Sequence, residues 1–478
     1  FHTEPMVRVS RTNSAGMFTI KGVAPGQYRM AALQDADGDY LLSQKSEMLG
    51  FSHTLVEPTC KPDTRPDTIW LDSLHIQDIK KVGFTHFMPD DIALLCFQEP
   101  QTDRVLLKTE RNEPNKLGIY FTYGSDSLPR LRGLNFDSEG AFVLEASENN
   151  DTLTYWIADT TLVNTDTLDI ELTYLMTDTV GRLVEQTDTI TALAKVSYEK
   201  RTKEKMKELE KWQKEQEKKK KKGEAYDSVM PQKYLDVKLS AAGSMAPNQR
   251  LFIEMKEPLA VCDTAAVHLY QQVDSLWYEC PHEMVQLSAR KYELVADWQP
   301  EMALSLETDS AAFVNIYGVC SAKTKTGIKI MGNDEFSSLT MELAGTPQGM
   351  GKDSMVVMLM DGSDKMVRKE TATADGKAVF TYLKPGKYYV KAFADTNGNG
   401  VWDTGCYDEG RQAEPVFYFG EEIECKKKWD VKRQWNVSAT PIFRQKPEKI
   451  TKQKAEAAKK QKSKNLERAR QLGKEYIQ

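Results

Sequence analysis

The chain has 478 residues, 40% of them hydrophobic, with 8 Trp, 19 Tyr and 17 Phe. That length exceeds what one hydrophobic core serves and predicts three or four domains, while the apolar and aromatic content excludes disorder of the whole chain. The formal net charge of −6 is uneven: residues 199–222 carry a surplus of +6 and residues 444–478 a surplus of +8, leaving −20 on an acidic remainder.

In chain order, the text opens on Phe1 and inside a strand-turn-strand pattern. We read it as a fragment or processed form whose leading strands, with any signal peptide or lipid-anchor cysteine, stood before Phe1. Residues 1–57 are expected to be the C-terminal part of one β-sandwich, with runs such as Met17–Ile20 and Tyr28–Leu33 bounded by turn residues. Residues 58–104 read as an extended linker with strands. Residues 105–198 form a second unit rich in Thr and Asp, in which Leu168–Tyr174 alternates apolar and polar residues as a half-buried strand does. Residues 199–232 hold a charged helix over Glu199–Lys222 and a linker. Its apolar positions Met206, Leu209 and Trp212 make too narrow a stripe for burial, so it is expected to be solvated and to end near Gly223. Residues 233–332 repeat the strand style in Leu251–Met255, Val267–Tyr270 and Tyr292–Val295. Residues 333–430 make a last sandwich, and residues 431–478 a basic tail with weak helical spacing at Leu466, Ala469, Leu472 and Tyr476. Trp156, Tyr174, Trp277, Trp298 and Tyr388 are expected to feed small cores. No apolar run of about 18 residues occurs to make a transmembrane helix.

One internal repeat decides the architecture. Gly16-Met-Phe-Thr-Ile-Lys-Gly-Val-Ala-Pro25-Gly26-Gln-Tyr28 recurs as Gly376-Lys-Ala-Val-Phe-Thr-Tyr-Leu-Lys-Pro385-Gly386-Lys-Tyr388, an offset of 360 that persists through Asp35-Ala-Asp37-Gly-Asp39 and Asp395-Thr-Asn397-Gly-Asn399. The glycines suit hairpin turns, Pro-Gly gives a second tight turn, and Tyr28 and Tyr388 open the next strand.

The repeat resembles the carboxypeptidase-regulatory or prealbumin-like domain, with Ala378 standing where an aromatic is usual. The two middle units resemble bacterial Ig-like domains. Thr85-His-Phe-Met-Pro-Asp-Asp91, Lys428-Trp-Asp-Val431 and the Glu/Lys-rich helix together resemble Ig-like-domain-containing lipoproteins of the Bacteroidota outer membrane. The fold class that follows is mainly β: tandem antiparallel β-sandwiches, Ig-like and prealbumin-like, with one charged helix and a basic C-terminal tail. The resemblance implies a secreted, lipid-anchored, non-enzymatic protein at the periplasmic or surface side of the outer membrane, whose partners are other outer-membrane proteins. An adhesin or glycan-binding protein, and the non-catalytic arm of an enzyme whose active domain is missing, are the alternatives.

For chemistry, the most specific feature is Asp395, Asn397, Asn399, Asp403 and Asp408, oxygen side chains at short intervals with interleaved glycines. A hard cation such as Ca²⁺ takes six to eight such oxygens, and the loop also resembles the calcium loops of some adhesin repeats. The competing reading is an Asx-rich turn whose side chains bond their own backbone. Asp35, Asp37 and Asp39 are the first-copy counterpart and lack the later acid. Six histidines meet no recognised nucleophile motif, and His86, followed by Asp90-Asp91, reads as capping a turn. The seven cysteines are scattered, with no Cys-x-x-Cys pair, and are expected to be mainly free thiols, although Cys406 and Cys425 flank a loop they could bridge. The basic segments lack interleaved aromatics, so nucleic acid is not an expected partner. A small-molecule substrate is not expected either.

Overall fold

A computed structural model describes residues 6, 8–13, 16–72, 75–450 and 473. The chain is mainly β and divides into two compact units: residues 101–336 form one, and residues 1–100 with 337–478 form the other.

The 101–336 unit holds two sandwiches. In the first, a sheet ordered Leu106–Glu110, Lys116–Phe121, Thr152–Ile157, Phe142–Ala146 faces one ordered Leu183–Leu193, Thr167–Thr177, Arg130–Gly133. The alternation read from the sequence is realised: Leu168, Ile170, Leu172 and Tyr174 point into the core against Leu117, Ile119 and Leu153. Two buried arginines tie its loops together. Arg111 donates to the carbonyls of Pro114, Leu162 and Thr165, and burial among these neutral acceptors lowers its pKa to about 10. Arg104 lies 3.7 Å from the Phe121 ring and donates to Leu175 O.

The helix follows as Tyr198–Lys222. Ser197 caps its first turn and Gly223, at φ 75°, closes it in the left-handed region that glycine tolerates best. Tyr198 N–H donates to Asp166 and Arg201 to Val163 O, so the helix is pinned to the first sandwich at its start. Met206 and Leu209 stay exposed. The second sandwich sets Val237–Leu239, Leu251–Met255, Lys291–Ala296 and His282–Gln286 over a five-stranded sheet, with Leu269, Leu294, Leu306 and Phe313 buried between. Trp277 does not feed this core: it lies in the edge strand Leu276–Glu279, where side chains face solvent. Trp298 is half-buried against the core.

In the other unit, the C-terminal sandwich packs Lys377–Leu383, Ser337–Ala344 and Asp430–Asn436 against Met366–Thr371, Met355–Met360, Gly386–Ala394 and Val416–Tyr418. The expected boundary at 430 is corrected here. Asp430–Asn436 is a full strand, parallel to Ser337–Ala344, and its Val431 and Trp435 are buried in the core. Charged residues between them on the solvent face disguise it as tail. The chain stays docked to Ile450, which is buried against Met360 and Tyr389. Lys449 pairs with Glu422, whose carboxyl is held down to about 2 by Lys387, Tyr389 and Lys449. The helical spacing at Leu466, Ala469, Leu472 and Tyr476 lies outside the described residues.

Residues 31–33, 48–51 and 97–98 form a small three-stranded sheet with Leu42, Leu49 and Phe97 as its core. Between its members the chain leaves as a two-stranded hairpin, Thr59–Trp70 against Ile76–Met88, that joins no other sheet among the described residues.

Replacing Trp435 by Ala will destabilise this unit by about 3–5 kcal/mol, measured by urea unfolding; a tail residue would give no change.

Candidate functional site

The two copies of the repeat share turn and loop hydrogen bonds, although Lys377–Leu383 is a strand and its counterpart, including the expected strand Met17–Ile20, is not. Tyr28 Oη donates to Ala24 O at 2.9 Å and Tyr388 Oη to Lys384 O at 2.7 Å, each ring packing over the glycine of its Pro-Gly turn. In both loops the leading aspartate caps a tight turn: Gly38 N–H donates to Asp35, and Gly398, Asn399 and Gly400 N–H groups donate to the two oxygens of Asp395. The next positions repeat the device, with Asp39 N–H on Asp37 and Asn399 N–H on Asn397.

A buried glutamate closes each loop from behind, and the sequence pattern did not point to it. Glu414 accepts from Thr396 N–H at 2.6 Å and Asp403 N–H at 3.0 Å. Glu47 accepts from Ala36 N–H at 3.0 Å and Ser43 N–H at 3.2 Å. The two glutamates are the same residue in structural terms but break the offset of 360, because the second copy carries seven extra residues between Asp403 and Glu414. That insertion hid the match. Its Cys406–Arg411 turn packs onto the N-terminal sheet: Thr404 donates to Gln98 O, Tyr407 N–H to Glu99, and Gln412 to Phe51 O. Gly405 permits the approach, since a Cβ there would lie 2.4 Å from the Phe97 ring.

The candidate ligands distribute unevenly. Among the described residues, Asp35, Asp37 and Asp39 bring one carboxylate oxygen each within 4.8 Å of one another. Asp395, Asp403 and Asp408 form no such group, because Asp408 leaves with the inserted turn and Asp395 is committed to backbone N–H groups. In the second loop the amides of Asn397 and Asn399 instead converge on one oxygen of Asp403, at 2.6 and 2.8 Å. In the first loop Ser43 occupies the place of Asp403 and donates to Asp37. Carboxylates thus cluster in the first loop and amides meet one carboxylate in the second, while both loops are Asx-type turns whose leading residues bond their own backbone. Backbone and hydroxyl donors hold the Asp37 carboxyl below its usual range. Cys406 and Cys425 are both free thiols, one in the inserted turn and the other facing the sandwich core.

Two further polar constellations stand outside the loops. His86 is bracketed by Asp90 at 2.8 Å and Asp63 at 3.0 Å, bracing the base of the hairpin. The hydrogen bond to Asp90, then that to Asp63, raises its pKa above the ordinary 6.5. Between the two sandwiches of the 101–336 unit, a cleft of about 370 Å³ has Trp156, Tyr120, Lys116, Glu145, Glu254 and Arg290 in its wall. Arg290 donates twice to Glu145, at 2.8 and 3.0 Å, and the Trp156 indole donates to the same carboxylate. Burial opposes ionisation of Glu145, but these donors outweigh it and hold its pKa low. Tyr317 Oη completes the seam by donating to Ile157 O at 2.9 Å.

No family model and no curated protein matches the chain. Among solved structures, it is similar to the N-terminal part of the bacterial S-layer protein SbsC at 10% identity, with a TM-score of 0.20, over 34% of this chain and 42% of that one. The biofilm associated protein BSP domain matches at 12% identity and a TM-score of 0.18, over 71% and 66%. Native alpha-2-macroglobulin from Escherichia coli, domains MG0-NIE-MG1, matches at 9% and 0.19, over 61% and 94%. The chain spans 42% of the SbsC part and 56% of the TIE protein of Bacillus anthracis. At such TM-scores these likenesses carry no argument about function.

His86 yields a pH prediction. A raised folded pKa means its bracing is complete below about pH 6.5 and is lost as pH rises through the folded value. The imidazole titration followed by NMR will have its midpoint above 6.5, and Asp90→Asn will bring it back toward that value.

Proposed function

We propose that the chain is a non-catalytic structural and interaction protein of the bacterial cell envelope, held at the outer membrane by a lipid anchor and serving as an accessory or scaffold subunit. The observation that supports this reading most is the seam of Arg290, Glu145, Trp156 and Tyr317. A half-buried bidentate ion pair, with its remaining acceptor capacity filled by an indole, fixes two sandwiches against each other instead of leaving a hinge. Rigid spacing of β-sandwiches is what a scaffold requires. The polar side chains of the second loop are spent in the same way, on their own backbone and on one another. Anchoring and outer-membrane location rest on the motif resemblance at residues 85–91 and 428–431.

The adhesive alternative has one observation in its favour. Leu276, Trp277 and Tyr278 are consecutive, large and exposed on an edge strand, an arrangement suited to stacking on sugar rings or adding a partner strand. In either role, Asp35, Asp37 and Asp39 are the residues we assign to Ca²⁺, which would stiffen the loop beside the N-terminal sheet.

Affinity purification of the tagged full-length protein from solubilised outer membrane tests the scaffold reading. A stoichiometric outer-membrane protein complex is expected; recovery of the chain alone, together with glycan binding lost in Trp277→Ala, would replace it with the adhesive one. Millimolar Ca²⁺ is expected to raise the melting temperature, and the pair Asp37→Asn and Asp39→Asn to remove the rise. No shift in the unaltered protein would take Ca²⁺ out of the reading.

A further inference from the structure

The hairpin of Thr59–Trp70 and Ile76–Met88 is the longest pair of strands in its unit, yet it forms a sheet of only two strands. A two-stranded ribbon is at best marginally stable in water, and its outer edges offer unpaired backbone groups to any passing strand. Its two edges are not alike.

Backbone alternation fixes which groups face outward. Within the uninterrupted register Thr59–Ile69, before the shift at Ile69/Trp70, Pro62 and Pro66 carry no N–H to donate to the ladder, so the even-numbered residues of the outgoing strand turn outward and the odd-numbered ones inward. Thr64 N–H, an outward group, accordingly bonds the side chain of Asp63 at 2.7 Å. On that edge Pro62 and Pro66 have no N–H at all. Two prolines and one capped donor in succession close the outgoing edge to a partner strand. The register pairs Pro62 with Thr85, Thr64 with Gly83 and Pro66 with Lys81, so the outward residues of the return strand are Ile79, Lys81, Gly83, Thr85 and Phe87. Ile79 N–H is capped by Asp78. The remaining four are exposed, and nothing lies within 4 Å of where a Gly83 Cβ would sit.

We propose that the return strand is a self-association edge, pairing antiparallel with the same strand of a second copy about Gly83. The argument for a second copy is self-complementarity. In that register Ile79 faces Phe87 of the other copy and Val82 faces Phe84, joining apolar side chains that are 58%, 72% and 41% exposed for Ile79, Phe87 and Val82. Lys81 faces Thr85. Lys80 faces His86, which Asp63 and Asp90 surround with negative charge. Sliding the register to centre on Lys81 would set two ammonium groups directly opposite, which is unfavourable. Glycine at the centre leaves no side chain facing its own copy at the two-fold. The partner adds a third and a fourth strand to a ribbon that lacks them. An interface of one strand per copy is small, so the association is weak and depends on concentration.

Sedimentation velocity on the full chain, from ~1 to ~300 µM to span the range of weak interfaces, tests this. A monomer–dimer equilibrium is expected. Gly83→Pro removes one outward donor from each copy and leaves the intramolecular ladder intact, so it should weaken dimerisation by ~30-fold or more at an unchanged melting temperature. Thr64→Pro, on the closed edge, should dimerise as the unaltered chain does. Hydrogen exchange at Lys81, Gly83, Thr85 and Phe87 should slow as concentration rises in both dimerising proteins. A chain that stays monomeric throughout overturns the proposal, as does a dimer insensitive to Gly83→Pro, a dimer equally lost in Thr64→Pro, or one whose edge amides gain no protection. Binding of a foreign strand by a chain that is monomeric alone would likewise reject the second copy as occupant.

Discussion

A buried carboxylate behind an acidic loop is the interaction on which the unit formed by the two chain ends depends. The buried carboxylate of Glu414 accepts from the N–H groups of Thr396 and Asp403. A buried polar group left without its partner costs about 1–3 kcal/mol or more, so Glu414 holds the loop to one course. Because that course is fixed, the residues inserted between Asp403 and Glu414 leave it in a defined direction and meet Gln98, Glu99 and Phe51. The small N-terminal sheet, whose core among the described residues is Leu42, Leu49 and Phe97, gains a second wall from that contact through Tyr407 and Ala413. One loop clasp therefore decides whether residues separated by more than 300 positions share a core.

The middle unit solves a similar problem with charge. Arg104 and Arg111 are buried and donate to backbone carbonyls, with one Arg104 nitrogen left unpaired, while Arg290 is matched to Glu145. The planar guanidinium presents several donors in a fixed fork, so one side chain ties down two or three loop carbonyls at once. This stiffens sandwiches whose loops are long relative to their strands. The same economy of donors explains why the acidic loops read as cation sites in the sequence: side-chain oxygens at alternating positions serve a metal or the backbone N–H groups of a tight turn equally well.

The hairpin shows a different balance. Its two strands are paired along nearly their whole length, but among the described residues it joins no further strand, and Ile79, Val82 and Phe87 remain in water. Prolines guard one edge and His86 braces the base. Protection of one edge and exposure of the other is the form a directional pairing element takes, since an equally open pair of edges would support unlimited growth.

Much of this was legible in the sequence because it is local. Period-2 alternation at Leu168–Tyr174, the Ser197 and Gly223 signals around the charged helix, and the Pro-Gly-x-Tyr turns are decided within a few residues by sterics and burial. The repeat made the shared Pro-Gly turn and Asx loop of two segments readable at once. What the sequence could not settle depends on partners distant in the chain. Glu47 and Glu414 look like ordinary surface acids until the loop in front of them is built, and an insertion shifts their spacing. Trp435 reads as part of a charged tail because its buried face appears only when Asp430–Asn436 lies beside Ser337–Ala344. The contrast between the clustered carboxylates of Asp35, Asp37 and Asp39 and the amide-bridged Asp403 likewise arises from side-chain directions. Composition and periodicity report what each residue prefers; only the tertiary structure decides which groups meet, because the burial that makes a polar contact obligatory is created by segments far apart in the chain.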